Sequence, residues 1–91
     1  MTVGYNDDKA VLIKRLNRIE GQVRGISRML AEDTYCIDVL TQIGAIKSAI
    51  DRVGMLLLED HIKHCVTESV RAGEEARVDE LVLAVSRFAK S

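Results

Sequence analysis

Apolar residues recur along the first third of the chain at Leu12, Leu16, Ile19, Val23, Ile26 and Leu30, in steps of four, three, four, three and four. Such alternation predicts an amphipathic helix with a single heptad seam, which Asp7 and Asp8 can cap. With successive residues about 100° apart, Lys14, Arg18, Arg24 and Arg28 fall on or near the opposite side, with Gly21 and Gly25 among them. Glycine inside a helix costs roughly 1 kcal/mol relative to alanine, so this pair marks either simple tolerance or a face that something approaches closely.

The run Ala31-Glu32-Asp33-Thr34-Tyr35 breaks the pattern, and Asp33 or Thr34 is suited to cap the next helix. A second seam follows at Val39, Ile43, Ile46, Ile50, Val53 and Leu57, widened by Leu40, Leu56, Leu58 and Ile62. A surface that broad packs against more than one neighbour. If the helix continues to a glycine stop at Gly73 it covers about 37 residues and roughly 55 Å, too long for a protomer of this size to wrap by itself. After Gly73, Val78, Leu81, Val82, Val85 and Phe88 predict a third, shorter amphipathic helix. Glu74, Glu75, Asp79 and Glu80 lie towards its start, with Arg87 and Lys90 at its end, as the helix dipole favours. The expectation is an all-α, three-helix protomer with a long second helix, residues 1–91 forming a single domain.

Composition agrees. The 91 residues are 47% hydrophobic and 30% charged, with no proline, no tryptophan and three aromatic side chains, Tyr5, Tyr35 and Phe88, which excludes an all-β fold. The longest apolar stretch, Val53 to Leu58, falls far short of the roughly 18 residues of a membrane-spanning helix. The opening MTVGYNDDK has no basic-then-apolar signal region, and a cytoplasmic location is expected. The net charge of −1 hides an asymmetry: residues 9–30 carry six basic residues against Glu20 alone, whereas residues 31–91 carry seven basic against eleven acidic. A basic first helix points to an anionic partner, nucleic acid foremost, or to a solvated face paired with acidic neighbours.

Cys36 stands at the predicted start of the long helix, with His61, His64 and Cys65 near its end. Two cysteines 29 residues apart favour a metal or redox role over a structural disulfide. His61 and Cys65, four apart, share a helical face, and Cys36 falls within about 20° of both, yet roughly 37 Å from His61 along a continuous helix. An antiparallel pairing of two long helices would bring Cys36 of one protomer to His61 and Cys65 of the other, giving two equivalent sites in a two-fold dimer. Two thiolates and an imidazole suit Cu(I) or, with a fourth ligand, Zn(II); the same cysteines are also compatible with small buried hydrophobes. His64 lies at least about 60° from either neighbour's face, as a solvated bystander. No paired acid and base and no glycine-rich phosphate loop accompany these residues, so an enzyme is not expected.

The run Arg15-Leu16-Asn17-Arg18-Ile19-Glu20-Gly21-Gln22-Val23-Arg24-Gly25-Ile26 resembles the signature of the copper-sensing operon repressor family. Tyr35-Cys36-Ile37-Asp38 and the His61–Cys65 spacing resemble its ligand motif, and the likeness covers nearly the whole chain. The resemblance implies an antiparallel helical dimer assembling into a dimer of dimers, which binds operator DNA as a transcriptional repressor of copper homeostasis and dissociates when Cu(I) binds. It implies Cys36 of one subunit with His61 and Cys65 of its partner as trigonal Cu(I) ligands. Tyr35 and Glu80 match an outer pair linking the liganded histidine to the third helix, Glu80 after a one-residue gap near Gly73. For DNA it implies the basic face of the first helix: Arg15, Arg18 and Arg24, with Lys14 and Arg52.

The ligand set also separates branches of this family. Nickel- and cobalt-responsive members have His where Cys65 stands and use an N-terminal His. The formaldehyde-responsive branch typically lacks the second Cys and carries Pro after Met, where this chain has Thr2, and the persulfide-responsive branch lacks the His at position 61. The combination here resembles the copper branch. The alternative is a thiol- or persulfide-responsive repressor of the same family using Cys36 and Cys65.

Overall fold

The computed structural model describes residues 4–90; Thr2 lies outside them. A short 3-10 turn, Asn6–Asp8, leads into α1, Lys9–Ala31, followed by α2, Cys36–His61. A π-helical turn, Ile62–Val66, joins α2 directly to α3, Thr67–Arg71, and α4, Ala76–Lys90, closes the described chain. Helical backbone therefore runs unbroken from Cys36 to Arg71, close to the span that the pattern predicts, but with a π turn that the pattern does not announce. Among the described residues there is no strand, and no helix is long and apolar enough to cross a membrane.

The helix ends differ from expectation in an instructive way. Asp8 takes the N-cap position of α1, but its side chain makes no capping hydrogen bond. Asp33 and Thr34 do not cap α2; they end α1. Asp33 adopts a left-handed φ of 57°, its N–H donates to the Leu30 carbonyl at 3.2 Å, and the Thr34 N–H donates to the Met29 carbonyl at 2.9 Å. This is a Schellman motif built on aspartate, which with asparagine tolerates the left-handed region better than other side chains do. The Tyr35 carbonyl then receives the first amides of α2, those of Asp38 and Val39. A second Schellman motif ends α3, where glycine is expected: Gly73, at φ 77°, donates to the Val70 carbonyl and Glu74 to that of Ser69. Glu74 and Glu75 lie just ahead of α4, their carbonyls accepting its first amide hydrogens.

The described residues divide into two compact units. In the first, Asp7–Leu56, the core is drawn from every second position of each seam. Leu12 and Ile19 are buried and Ile26 half-buried, seven residues apart, whereas the intervening Leu16, Val23 and Leu30 are 43%, 50% and 61% exposed. The second seam repeats this: Val39 and Val53 are buried and Ile46 half-buried, while Ile43 and Ile50 are exposed. Each seam thus buries one heptad position within the protomer and leaves the other facing out.

The second unit comprises the described parts of Met1–Asn6 and Leu57–Ser91. Here α4 packs on α3 and on the π turn, with Val66 buried and Leu81, Val85 and Phe88 half-buried, while Val82 stays 64% exposed.

Candidate metal centre and basic face

His61 is the last residue of α2 and Cys65 the fourth residue of the π turn; both are half-buried. In an ideal α-helix, residues four apart overshoot a full turn by about 40°. The wider i→i+5 turn between these two rotates less per residue than an α-helix does. The Ile62 carbonyl holds the turn by accepting both the Thr67 N–H and the Thr67 hydroxyl, the latter at 2.9 Å. π turns of this kind are rare and occur frequently at functional sites.

The backbone at Gly4 lies against this turn. A Cβ added to Gly4 would fall 3.0 Å from Cys65 Sγ and 2.9 Å from the Asp60 carbonyl oxygen. Asp60 itself is only 9% exposed. It continues the inward heptad of Val39, Ile46 and Val53 by another seven residues, putting a carboxylate immediately before His61.

Cys36 is the first residue of α2 and is exposed; both cysteines are free thiols. Among the described residues of one chain, no three His, Cys, Asp or Glu side chains come together in a way that could hold a metal ion. Tyr35, beside Cys36, is 69% exposed. Glu80, in the first half of α4, faces Arg77 at 3.5 Å, and His64 is exposed.

The basic residues predicted for DNA are all exposed: Lys14, Arg15, Arg18 and Arg24 on α1, and Arg52 on α2. Arg24 donates to the Glu20 carboxylate at 2.6 Å from one turn further on, a pairing that neutralises part of the face. Gly25 has nothing within 4 Å of where its Cβ would be, and Gly21 only the Arg24 guanidinium at 3.8 Å, so within the chain nothing demands their smallness. An open cleft of about 330 Å³ in the same unit is lined by Gln22, Gly25, Ile26, Arg28, Met29, Glu32 and Gln42, none of them a predicted metal or DNA residue.

Two contributors to the site escaped the sequence. Thr67 carries no motif, and its role arises only once the helix widens. Gly4 stands outside every periodic segment, and a lone glycine near a terminus signals nothing until its neighbours are known.

Comparison with known proteins places this geometry in a family. Residues 8–87 match the family model described as metal-sensitive transcriptional repressor. The chain is 48% identical to the copper-sensing transcriptional repressor RicR of Mycobacterium tuberculosis, covering 97% of this chain and 95% of that protein. Among solved structures, it superposes with a TM-score of 0.87 at 46% identity on the copper-sensing repressor CsoR with Cu(I) from Geobacillus thermodenitrificans, covering 92% of this chain and 88% of that one. The nickel-responsive transcriptional regulator InrS also shares the fold, at a TM-score of 0.77 and 41% identity over 87% of this chain and 90% of its own, so the fold by itself does not select the metal. The family consists of transcriptional repressors rather than enzymes, and this chain, matched by its model over nearly the whole length, belongs to the metal-sensitive transcriptional repressors and within them to the copper-sensing operon repressor family.

Proposed function

We propose that this protein is a cytoplasmic Cu(I)-responsive transcriptional repressor, which binds double-stranded operator DNA without metal and releases it when Cu(I) is bound. The observation that carries this reading is that His61 and Cys65, both half-buried, stand four residues apart at the end of α2 and in the π turn, with a second free thiol, Cys36, exposed at the opposite end of α2. Two thiolates and one imidazole form a soft donor set that fits Cu(I). A histidine at position 65 would shift the set towards nickel or cobalt.

One chain does not assemble these three ligands, so Cys36 of one protomer joins His61 and Cys65 of its partner. The outward heptad positions support a second copy as that partner. Leu16, Val23, Leu30, Ile43 and Ile50 form apolar rows that the protomer leaves uncovered, and an antiparallel two-fold pairing of long helices buries like against like. The whole chain then acts as one domain within a dimer, and two dimers form the tetramer. Tyr35 and Glu80 steady the liganded His61 from outside the coordination sphere.

The exposed cations of α1, Lys14, Arg15, Arg18 and Arg24, with Arg52, meet DNA phosphates, and a tetramer presents this face four times, which is how a chain of net charge −1 binds a polyanion. Bound metal favours the arrangement in which the two ends of paired α2 helices are tied together. If DNA prefers the other arrangement, each ligand weakens the other by the same factor.

Fluorescence anisotropy on labelled operator DNA tests the coupling. His61→Ala is expected to bind DNA as the parent does but to need much more Cu(I) for release. Loss of DNA binding in His61→Ala would make the histidine a structural residue and overturn this mechanism. Release of the parent by mild oxidant but not by anaerobic Cu(I) would instead favour a thiol or persulfide sensor built on Cys36 and Cys65.

A further inference from the structure

We propose that Gly4 is a positioning residue for the Cys65 thiol: the missing side chain at position 4 lets the N-terminal segment seat and shelter this sulfur. The inference deepens the copper-site reading above, because it concerns one of the sulfurs that reading assigns to the metal.

A Cβ at position 4 would sit 2.9 Å from the Asp60 carbonyl oxygen, 3.3 Å from its carbon and 3.0 Å from Cys65 Sγ. Carbon does not approach other heavy atoms that closely without something moving, since close-packed interiors resist even one added methyl group. The Asp60 carbonyl belongs to the last turn of α2, on a residue 9% exposed, and helical backbone does not yield cheaply. The sulfur yields only by changing rotamer, which turns it away from its present direction.

Glycine is not needed at position 4 for backbone freedom, because its φ lies outside the left-handed region that Gly73 occupies. Smallness is the property used. Gly25 and Gly44, by contrast, have open space where a Cβ would go. The two thiols also differ in burial, Cys36 being exposed and Cys65 half-buried.

A side chain at position 4 therefore has two outcomes, the lifting of the N-terminal segment or the rotation of Cys65, and both change how the thiol meets reagents and metal. The test uses full-length, reduced, metal-free protein carrying Cys36→Ser, so that Cys65 is the only thiol, and measures its alkylation rate with iodoacetamide. Gly4→Ala is expected to accelerate alkylation several-fold and Gly4→Val further, towards the rate of a protein lacking residues 2–6, with unchanged far-UV circular dichroism in all. Equal rates for the parent and Gly4→Val overturn the proposal, as does an unaltered rate on deleting residues 2–6.

Cu(I) competition against a chelator, with Cys36 restored, supplies the second readout. Affinity should fall in the order Gly, Ala, Val at position 4, and faster alkylation with undiminished affinity would refute a positioning role. Because alkylation needs no metal, it stands even if the copper reading fails, and the two failures are told apart.

Discussion

Ile19 and Leu16 are three residues apart on the same seam, yet one is 6% and the other 43% exposed. Ile19 packs within the protomer, and Leu16 is left for the partner of the proposed assembly. Ile19→Ala should cost about 2–5 kcal/mol, the usual penalty for emptying a buried aliphatic site, read as a lower urea midpoint at fixed protein concentration. A loss well under 1 kcal/mol would mean that the α1 core does not hold the fold. On the basic face, Arg18→Ala is expected to weaken operator binding about equally for all sequences and to lower the slope of log affinity against log salt by about 1. A change confined to one operator sequence would assign Arg18 to base reading instead. At this scale the proposed ligands stand out in the sequence because chemistry and helical phase agree on them, Cys36, His61 and Cys65 falling within one narrow sector of a predicted helix. Gly4 was not, since its meaning lies in a contact with residues some 60 positions away.

The helices themselves follow from the steps of three and four, and the stop at Gly73 from the one residue type that enters the left-handed region freely. Gly73→Ala should therefore destabilise by about 1–2 kcal/mol in thermal or urea melts, because the Schellman motif holds φ at 77°. An unchanged midpoint would show that the α3–α4 junction takes another shape in solution. Asp33 does the same job at the end of α1, but aspartate is also a preferred N-cap, and the sequence alone favours the wrong helix for it. The π turn is harder still to anticipate. Ile62-Lys63-His64-Cys65-Val66 keeps an ordinary helical composition, and one widened turn shifts the apolar phase too little to register over so short a segment. The Thr67 hydroxyl adds to the backbone bond across the turn by donating to the Ile62 carbonyl. Thr67→Val keeps shape but removes that bond, and should cost about 0.5–1 kcal/mol, with a weakened Cu(I) response if the turn positions Cys65. An unaltered melt and an unaltered response together would leave the hydroxyl without a role.

As a whole, the molecule makes sense as part of an assembly. A lone protomer buries half of each seam, brings together at most two of three proposed ligands, and carries a basic face on a chain of net negative charge. In the assembly proposed above, a second copy would meet each shortfall. Charged substitutions on the outward row, Leu16→Glu with Val23→Glu, should dissociate the assembly in analytical ultracentrifugation and abolish Cu(I) binding although every ligand remains; a tetramer that survives them would move the interface elsewhere. The sequence led to the expectation of a partner, through a helix too long for its protomer and proposed ligands too far apart, but not to which half of each seam faces in. That choice depends on tertiary packing, which periodicity does not encode. The most direct test of the account is an anaerobic Cu(I) titration of the reduced protein against a competing chelator, repeated with Cys36→Ala. One tightly bound Cu(I) per protomer, lost in the variant, is the predicted result; weak binding indifferent to Cys36 would contradict the intersubunit copper site.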